Sequence, residues 1–173
     1  MTIPFNTSNR AGVNYTQVFT PPTASDRNFG AKPAFALGQL SEGSDGSEWV
    51  YVLFGVGGVT ALGYVVVIDE DFGAVMMSNS VGGLGDKIAV APAAASAGDY
   101  GWVQVYGTCD AIQVSASAAA NVPLASTVTA GQLDDAVATP TKNITGLVLT
   151  TARGGTAGTA PGTLNYPVVG TTN

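Results

Sequence analysis

Histidine is absent from the 173 residues, which removes the side chain that titrates near neutrality, the commonest general base and the favoured imidazole ligand of transition metals. A Ser-His-Asp or Cys-His nucleophile therefore has no base here. Cysteine is nearly absent as well: Cys109 stands alone, so no disulfide forms within the chain and no multi-cysteine metal site exists. Its expected role is that of a small buried hydrophobe. Charge is scarce too, since Lys, Arg, Asp and Glu make up 10% of the chain against about 25% in ordinary soluble proteins. A surface with so few ions hydrates poorly by itself. Burial in a larger assembly is the arrangement this composition favours, with a secreted or acid-adapted β-protein as the alternative.

The few charges are unevenly placed. Residues 1–40 hold Arg10, Arg27 and Lys32 against Asp26 alone, whereas residues 41–110 hold nine acids against Lys87. A basic head and an acidic body suit an N-terminal segment that lies on an acidic neighbour. Nucleic-acid recognition, which usually rests on clustered Lys and Arg, is not expected. The opening Met-Thr-Ile-Pro-Phe-Asn-Thr has no cationic region followed by an apolar core, so synthesis in a cytoplasm without secretion is the expectation.

What the sequence does contain begins with a twenty-residue stretch free of charge, Trp49 to Ile68. Its length is that of a membrane-crossing helix, yet Gly55, Gly57, Gly58 and Gly63 interrupt it, and acids flank it on both sides where a crossing favours Lys or Arg. Val, Tyr and Phe fill both arms, so the stretch reads as two strands, Trp49 to Phe54 and Leu62 to Ile68, in a hairpin around a Gly-rich turn. No membrane association is expected.

Residues 1–45 are rich in Asn, Thr, Ser, Pro and Gly, with Pro4, Pro21, Pro22 and Pro33 between isolated aromatic residues. They read as an extended N-terminal arm, and residues 46–173 as a β-domain. Aromatic side chains on such a segment need pockets, either on the chain's own body or on a partner, and the length of the aperiodic stretch favours the partner. Phe5, Arg10, Tyr15, Phe19, Arg27 and Phe29 are the candidate partner contacts.

Downstream, Asp69-Glu70-Asp71-Phe72-Gly73 reads as a turn, Ala74 to Met77 and Lys87 to Val90 as short strands, and the glycines between Asn79 and Asp86 as a loop. Strict alternation runs through Trp102-Val103-Gln104-Val105-Tyr106. Trp102 and Tyr106 are assigned to the core. Gly107-Thr108-Cys109-Asp110 reads as the turn of a hairpin that returns along Ala111 to Ser115. Asn143 to Thr150 reads as a further strand, and Leu164 to Val169 as an edge strand because Pro167 cannot donate to a ladder. Short strands, Gly turns and no amphipathic helix give an all-β fold, a compact barrel or sandwich.

Two constellations have chemical potential. Asp69, Glu70 and Asp71, or Asp134 and Asp135, supply paired carboxylates of the kind that glycosidases use, with a solvated turn as the plain alternative. Gly82-Gly83-Leu84-Gly85-Asp86-Lys87 is glycine-rich, but Ile88 follows Lys87 where a phosphate loop has Ser or Thr. Neither motif calls for a metal or cofactor, and none is expected.

The segment Ala97-Gly98-Asp99-Tyr100-Gly101-Trp102-Val103-Gln104-Val105-Tyr106-Gly107 resembles the core of the small capsid decoration, or cement, proteins of tailed bacteriophages. The likeness continues through Thr129-Ala130-Gly131-Gln132-Leu133-Asp134-Asp135-Ala136 and Ile144-Thr145-Gly146-Leu147-Val148-Leu149, and spans residues 86–170. It implies a β-tulip-like barrel on the capsid exterior, usually a trimer, with the major capsid protein as partner and no enzyme activity. The first 85 residues depart from the smallest members. The expectation is a virion structural protein that stabilises the head lattice, a homotrimer whose centre buries part of the 49–68 stretch. A phage fibre, tail or receptor-binding module is the second reading, and a carboxylate-dependent hydrolase the third.

Overall fold

A computed structural model of the chain describes residues 12–23, 30–136 and 140–172. Every regular element in it is a strand: β1 (Leu40–Glu42), β2 (Glu48–Phe54), β3 (Val65–Ile68), β4 (Gly73–Met76), β5 (Lys87–Val90), β6 (Tyr100–Val114), β7 (Leu124–Ser126), β8 (Leu133–Asp134), β9 (Lys142–Leu149) and β10 (Gly158–Thr172). The all-β expectation holds. Among the described residues no helix is long and apolar enough to cross a membrane.

The strands join in the order β1-β2-β4-β3-β5-β10-β6-β8-β7-β9, and further pairings β2–β6, β5–β6 and β10–β9 close the sheet on itself. Two circuits result. One runs β2-β4-β3-β5-β6 and back to β2; the other runs β10-β6-β8-β7-β9 and back to β10. The fifteen residues of β6 belong to both, pairing with β2 through Tyr100 to Tyr106 and with β10 through Tyr106 to Val114.

Side-chain alternation fills the circuits. Val50, Val52 and Phe54 of β2 meet Val66, Ile68, Ala89, Val103 and Val105 in the first core. Ile112, Val114, Leu124, Leu133, Ile144, Leu147, Leu149 and Leu164 form the second. Strand β3 separates them: Val66 and Ile68 face the first core while Val65 and Val67 face the second, and all four side chains are buried. That is why Val65-Val66-Val67-Ile68 is uniformly apolar and does not alternate.

Several expected pairings are corrected. The two apolar arms of residues 49–68 are strands but not a hairpin, because β4 lies between them, parallel to β2 and antiparallel to β3. Those arms are buried internally; within the stretch only Val56 and Leu62 stand out as exposed large hydrophobes. Nor does β6 turn back at residues 107–110. Gly107 adopts φ +94°, where the chain passes so close to Ser47 that a Cβ would lie 2.9 Å from its Cα, and the strand bends instead of reversing. Gln104, buried beside the bend, donates from Nε2 to the carbonyls of Tyr106 (3.0 Å) and Thr108 (2.8 Å), the residues on either side of Gly107, and so ties the bend together.

Strand β10 is likewise not an edge. It pairs with β5, β6 and β9, and Pro167 is accommodated by a break in register between Leu164 and Val168, where Tyr166 takes φ +47°. A proline in a central strand requires such a bulge.

Candidate interaction surface

Of the six residues expected to meet a partner, Phe5, Arg10, Arg27 and Phe29 lie outside the described residues. Tyr15 and Phe19 are placed on the chain's own body. The outward faces of β2 and β6 present Trp49, Tyr51 and Trp102, and the segment around Val13, Tyr15 and Phe35 covers them. The Tyr15 ring is 1% exposed, stacks on Trp49 and meets Trp102 edge-on, so it has no area to offer elsewhere. Burial in this aromatic pocket also pushes the Tyr15 hydroxyl pKa up, against a hydrogen bond with Ser41 that lowers it. Phe19 is half-buried and bridges to Tyr100 by two backbone hydrogen bonds of 2.8 Å. Trp102 is in the core, as expected.

Tyr106 is not. It is 37% exposed and stacks on Tyr166, itself 52% exposed, with ring centroids 5.1 Å apart and planes 28° from parallel. Register carries this pair into a row across four strands: Glu42 of β1 opposes Glu48 of β2, Glu48 opposes Tyr106 of β6, and Tyr106 opposes Asn165 of β10, next to Tyr166. The backbone is shaped for this display. Gly146 of β9, at φ +80°, lies under the bulge so tightly that a Cβ would sit 2.7 Å from the Asn165 carbonyl oxygen. A bulky residue held at positive φ with half of its surface in solvent is a strained arrangement. Sequence reasoning missed this row; the Tyr166-Pro167 pair inside an apolar strand was the available signal for a bulge.

Two of the five carboxylates that suggested hydrolysis, Asp69 and Asp134, hold backbone N–H groups. Asp69 Oδ1 accepts from the backbone N–H of Asp71 (3.0 Å) and of Gly73 (2.7 Å), closing the turn before β4. Asp134 Oδ1 accepts from the Asp135 N–H at 2.9 Å. In the glycine-rich loop, Asp86 Oδ2 accepts from the Gly83 N–H at 2.6 Å, and Lys142 Nζ donates to the Gly82 carbonyl. Among the described residues no group of three His, Cys, Asp or Glu side chains is placed to hold a metal.

One cleft of about 340 Å³ lies at the bend of β6, lined by Asp45, Trp49, Leu62, Gln104, Cys109 and Asp110 among others. Trp49 Nε1 donates to Ser47 Oγ (2.7 Å), and Ser47 Oγ donates to Asp45 Oδ1 (2.6 Å), so Asp45 anchors the indole. Cys109 Sγ donates to the Ala111 carbonyl at 3.4 Å, and burial pushes its thiol pKa up to about 11. A thiol so held is a poor nucleophile. The Cys109 thiol therefore gives the cleft packing and a hydrogen bond, not a nucleophile.

No protein-family model matches the chain, and no curated protein matches its sequence.

Proposed function

We propose that this protein is a virion structural component that decorates the outside of a tailed-phage head, binds the major capsid protein and stabilises the lattice, as a homotrimer. One observation carries the reading: a closed β-body whose chain is only 10% charged still leaves Leu40, Val56, Leu84 and Val128 between 65% and 89% exposed. Such a surface gains by docking among other subunits. The resemblance over residues 86–170 supports the same reading, as does the engagement of Asp69 and Asp86 in turns. Decoration needs no catalysis. Contacts made only with the assembled shell stabilise it by mass action, multiplied where one oligomer bridges several subunits. The test is sedimentation of the purified protein with undecorated heads. Co-sedimentation to a fixed stoichiometry, with a higher melting temperature of the heads, is expected; protein left in the supernatant at saturating concentration overturns the reading.

A second reading, a fibre, tail or receptor-binding module, is favoured by the exposed Tyr106–Tyr166 stack, since paired aromatic faces also suit sugar rings. It is separated by binding to host cells in place of heads.

A further inference from the structure

The row Glu42–Glu48–Tyr106–Tyr166 carries an electrostatic conflict. Glu42 and Glu48 oppose one another directly across β1 and β2, and like charges so placed destabilise a sheet. Three of the four described cations are engaged elsewhere: Lys87 stands over the Phe72 ring, Lys142 reaches the Gly82 carbonyl, and Arg153 donates to the carbonyls of Thr156 and Thr159. Among the described residues no ion pair relieves Glu42 or Glu48. Beside these two carboxylates stand two tyrosine rings, each with one face turned to the other ring and substantial area in solvent. The four side chains are close enough to interact: a hydrogen bond with the Glu48 side chain is the leading cause that pushes the Tyr166 hydroxyl pKa up, and the charges of Glu48 and Glu42 act in the same direction.

A ligand that resolves the conflict must be cationic, and must also value an aromatic face. A guanidinium does both, because its plane stacks on tyrosine while its fork donates to carboxylates. A neutral sugar would stack on the rings but leave the opposed carboxylates without a counter-charge. We propose that the row Glu42–Glu48–Tyr106–Tyr166 is a docking surface for an arginine side chain on a neighbouring protein subunit. In the assembly this arginine belongs to a subunit of the shell, and that placement rests on the decoration reading; the recognition chemistry does not.

Two measurements keep the two apart. In the first, the blocked tripeptide acetyl-Gly-Arg-Gly-amide is titrated into the full chain while the ring resonances of Tyr106 and Tyr166 are followed by NMR. Both rings shift in the wild type, and Glu42→Gln with Glu48→Gln weakens the apparent affinity by about tenfold, consistent with the loss of two charged contacts. Tyr166→Gly weakens it by roughly fivefold, the size of an exposed cation–π contact with its packing. Since glycine accepts φ +47° without strain, this variant is expected to fold and melts no lower than the wild type. In the second, the same variants are sedimented with undecorated heads. Heads that bind wild type and variants alike, together with tyrosines blind to the peptide, overturn the arginine surface and leave the decoration reading standing. Tyrosines that respond to the peptide, with heads that bind nothing, support the surface and overturn decoration. A neutral trisaccharide that shifts the rings equally in wild type and in the double Gln variant overturns the proposal in favour of a sugar-binding face.

Discussion

Tyr15 stacks on Trp49 with ring centroids 4.5 Å apart and planes 11° from parallel, and its hydroxyl shares a 2.8 Å hydrogen bond with Ser41 Oγ while donating to the Glu42 carbonyl at 2.9 Å. The pairing ties the first described segment to β1 and β2 at once. An aromatic residue on a polar, proline-punctuated stretch thereby becomes part of the body it precedes.

The two halves of that contact separate by substitution. Tyr15→Ala removes a fully buried ring and is expected to destabilise by about 3–5 kcal/mol, as large aromatic truncations do. Tyr15→Phe keeps the ring and loses the hydroxyl, at about 1 kcal/mol, with Ser41 Oγ left without that partner. Urea denaturation of both variants measures the difference; equal, small losses would show that the ring contributes little.

Gly146 offers a test of how Tyr166 is held on the surface. Its φ of +80° and the Asn165 carbonyl oxygen 2.7 Å from an added Cβ both oppose a side chain. Gly146→Ala is expected to cost about 1–3 kcal/mol, the range for strain at a special backbone conformation. Because the clash falls on the bulge, the Tyr106 and Tyr166 ring resonances move more than those of Tyr15. Unchanged Tyr166 signals in a destabilised variant would uncouple the glycine from the display.

Periodicity made the strands legible but not their partners. The alternation from Trp102 to Tyr106 correctly separates Val103 and Val105 from Trp102, and the short strands at Gly73–Met76, Lys87–Val90 and Lys142–Leu149 are where their apolar residues place them. Partner choice is non-local. Ile112 to Val114 pairs with Gly158 to Ala160 and not with the residues just before it, and β2 is separated from β3 by a strand that follows both in sequence. The interaction row was hidden for the same reason: Glu42, Glu48, Tyr106 and Tyr166 are adjacent only through the registers of four strands. Tyr15 was recognisable as an anchor, whereas its pocket, built from Trp49 and Trp102, was not.

Asp69 discriminates between a catalytic and a structural carboxylate. Asp69→Asn retains the Oδ1 acceptor for the N–H groups of Asp71 and Gly73 and is expected to be nearly neutral in stability. Asp69→Ala loses both hydrogen bonds and costs about 0.5–2 kcal/mol, comparable to the loss of a side-chain cap. Thermal unfolding of the pair checks this. If Asn destabilised as much as Ala, the negative charge and not the turn geometry would be the stabilising element.

Cys109 sets a stability limit on the alkaline side. The unfolded thiol has its ordinary pKa near 9.0, while the folded one is held up at about 11 by burial. Below pH 9 both states keep the proton and the group is without effect. Between the two values the unfolded chain loses a proton that the folded chain retains, so stability declines as pH rises, by about 2–3 kcal/mol at most for a shift of this size. The raised Tyr15 and Tyr51 hydroxyls act in the same direction above pH 10.0. Cys109→Ala is therefore expected to flatten the decline between pH 9 and 10, with the tyrosine portion retained, and denaturation midpoints across that range measure it. The same burial predicts slow reaction of the native thiol with an aromatic disulfide reagent at pH 8, accelerating sharply in urea. Immediate labelling of the folded chain would place the thiol in solvent and remove the cause assigned to its shift.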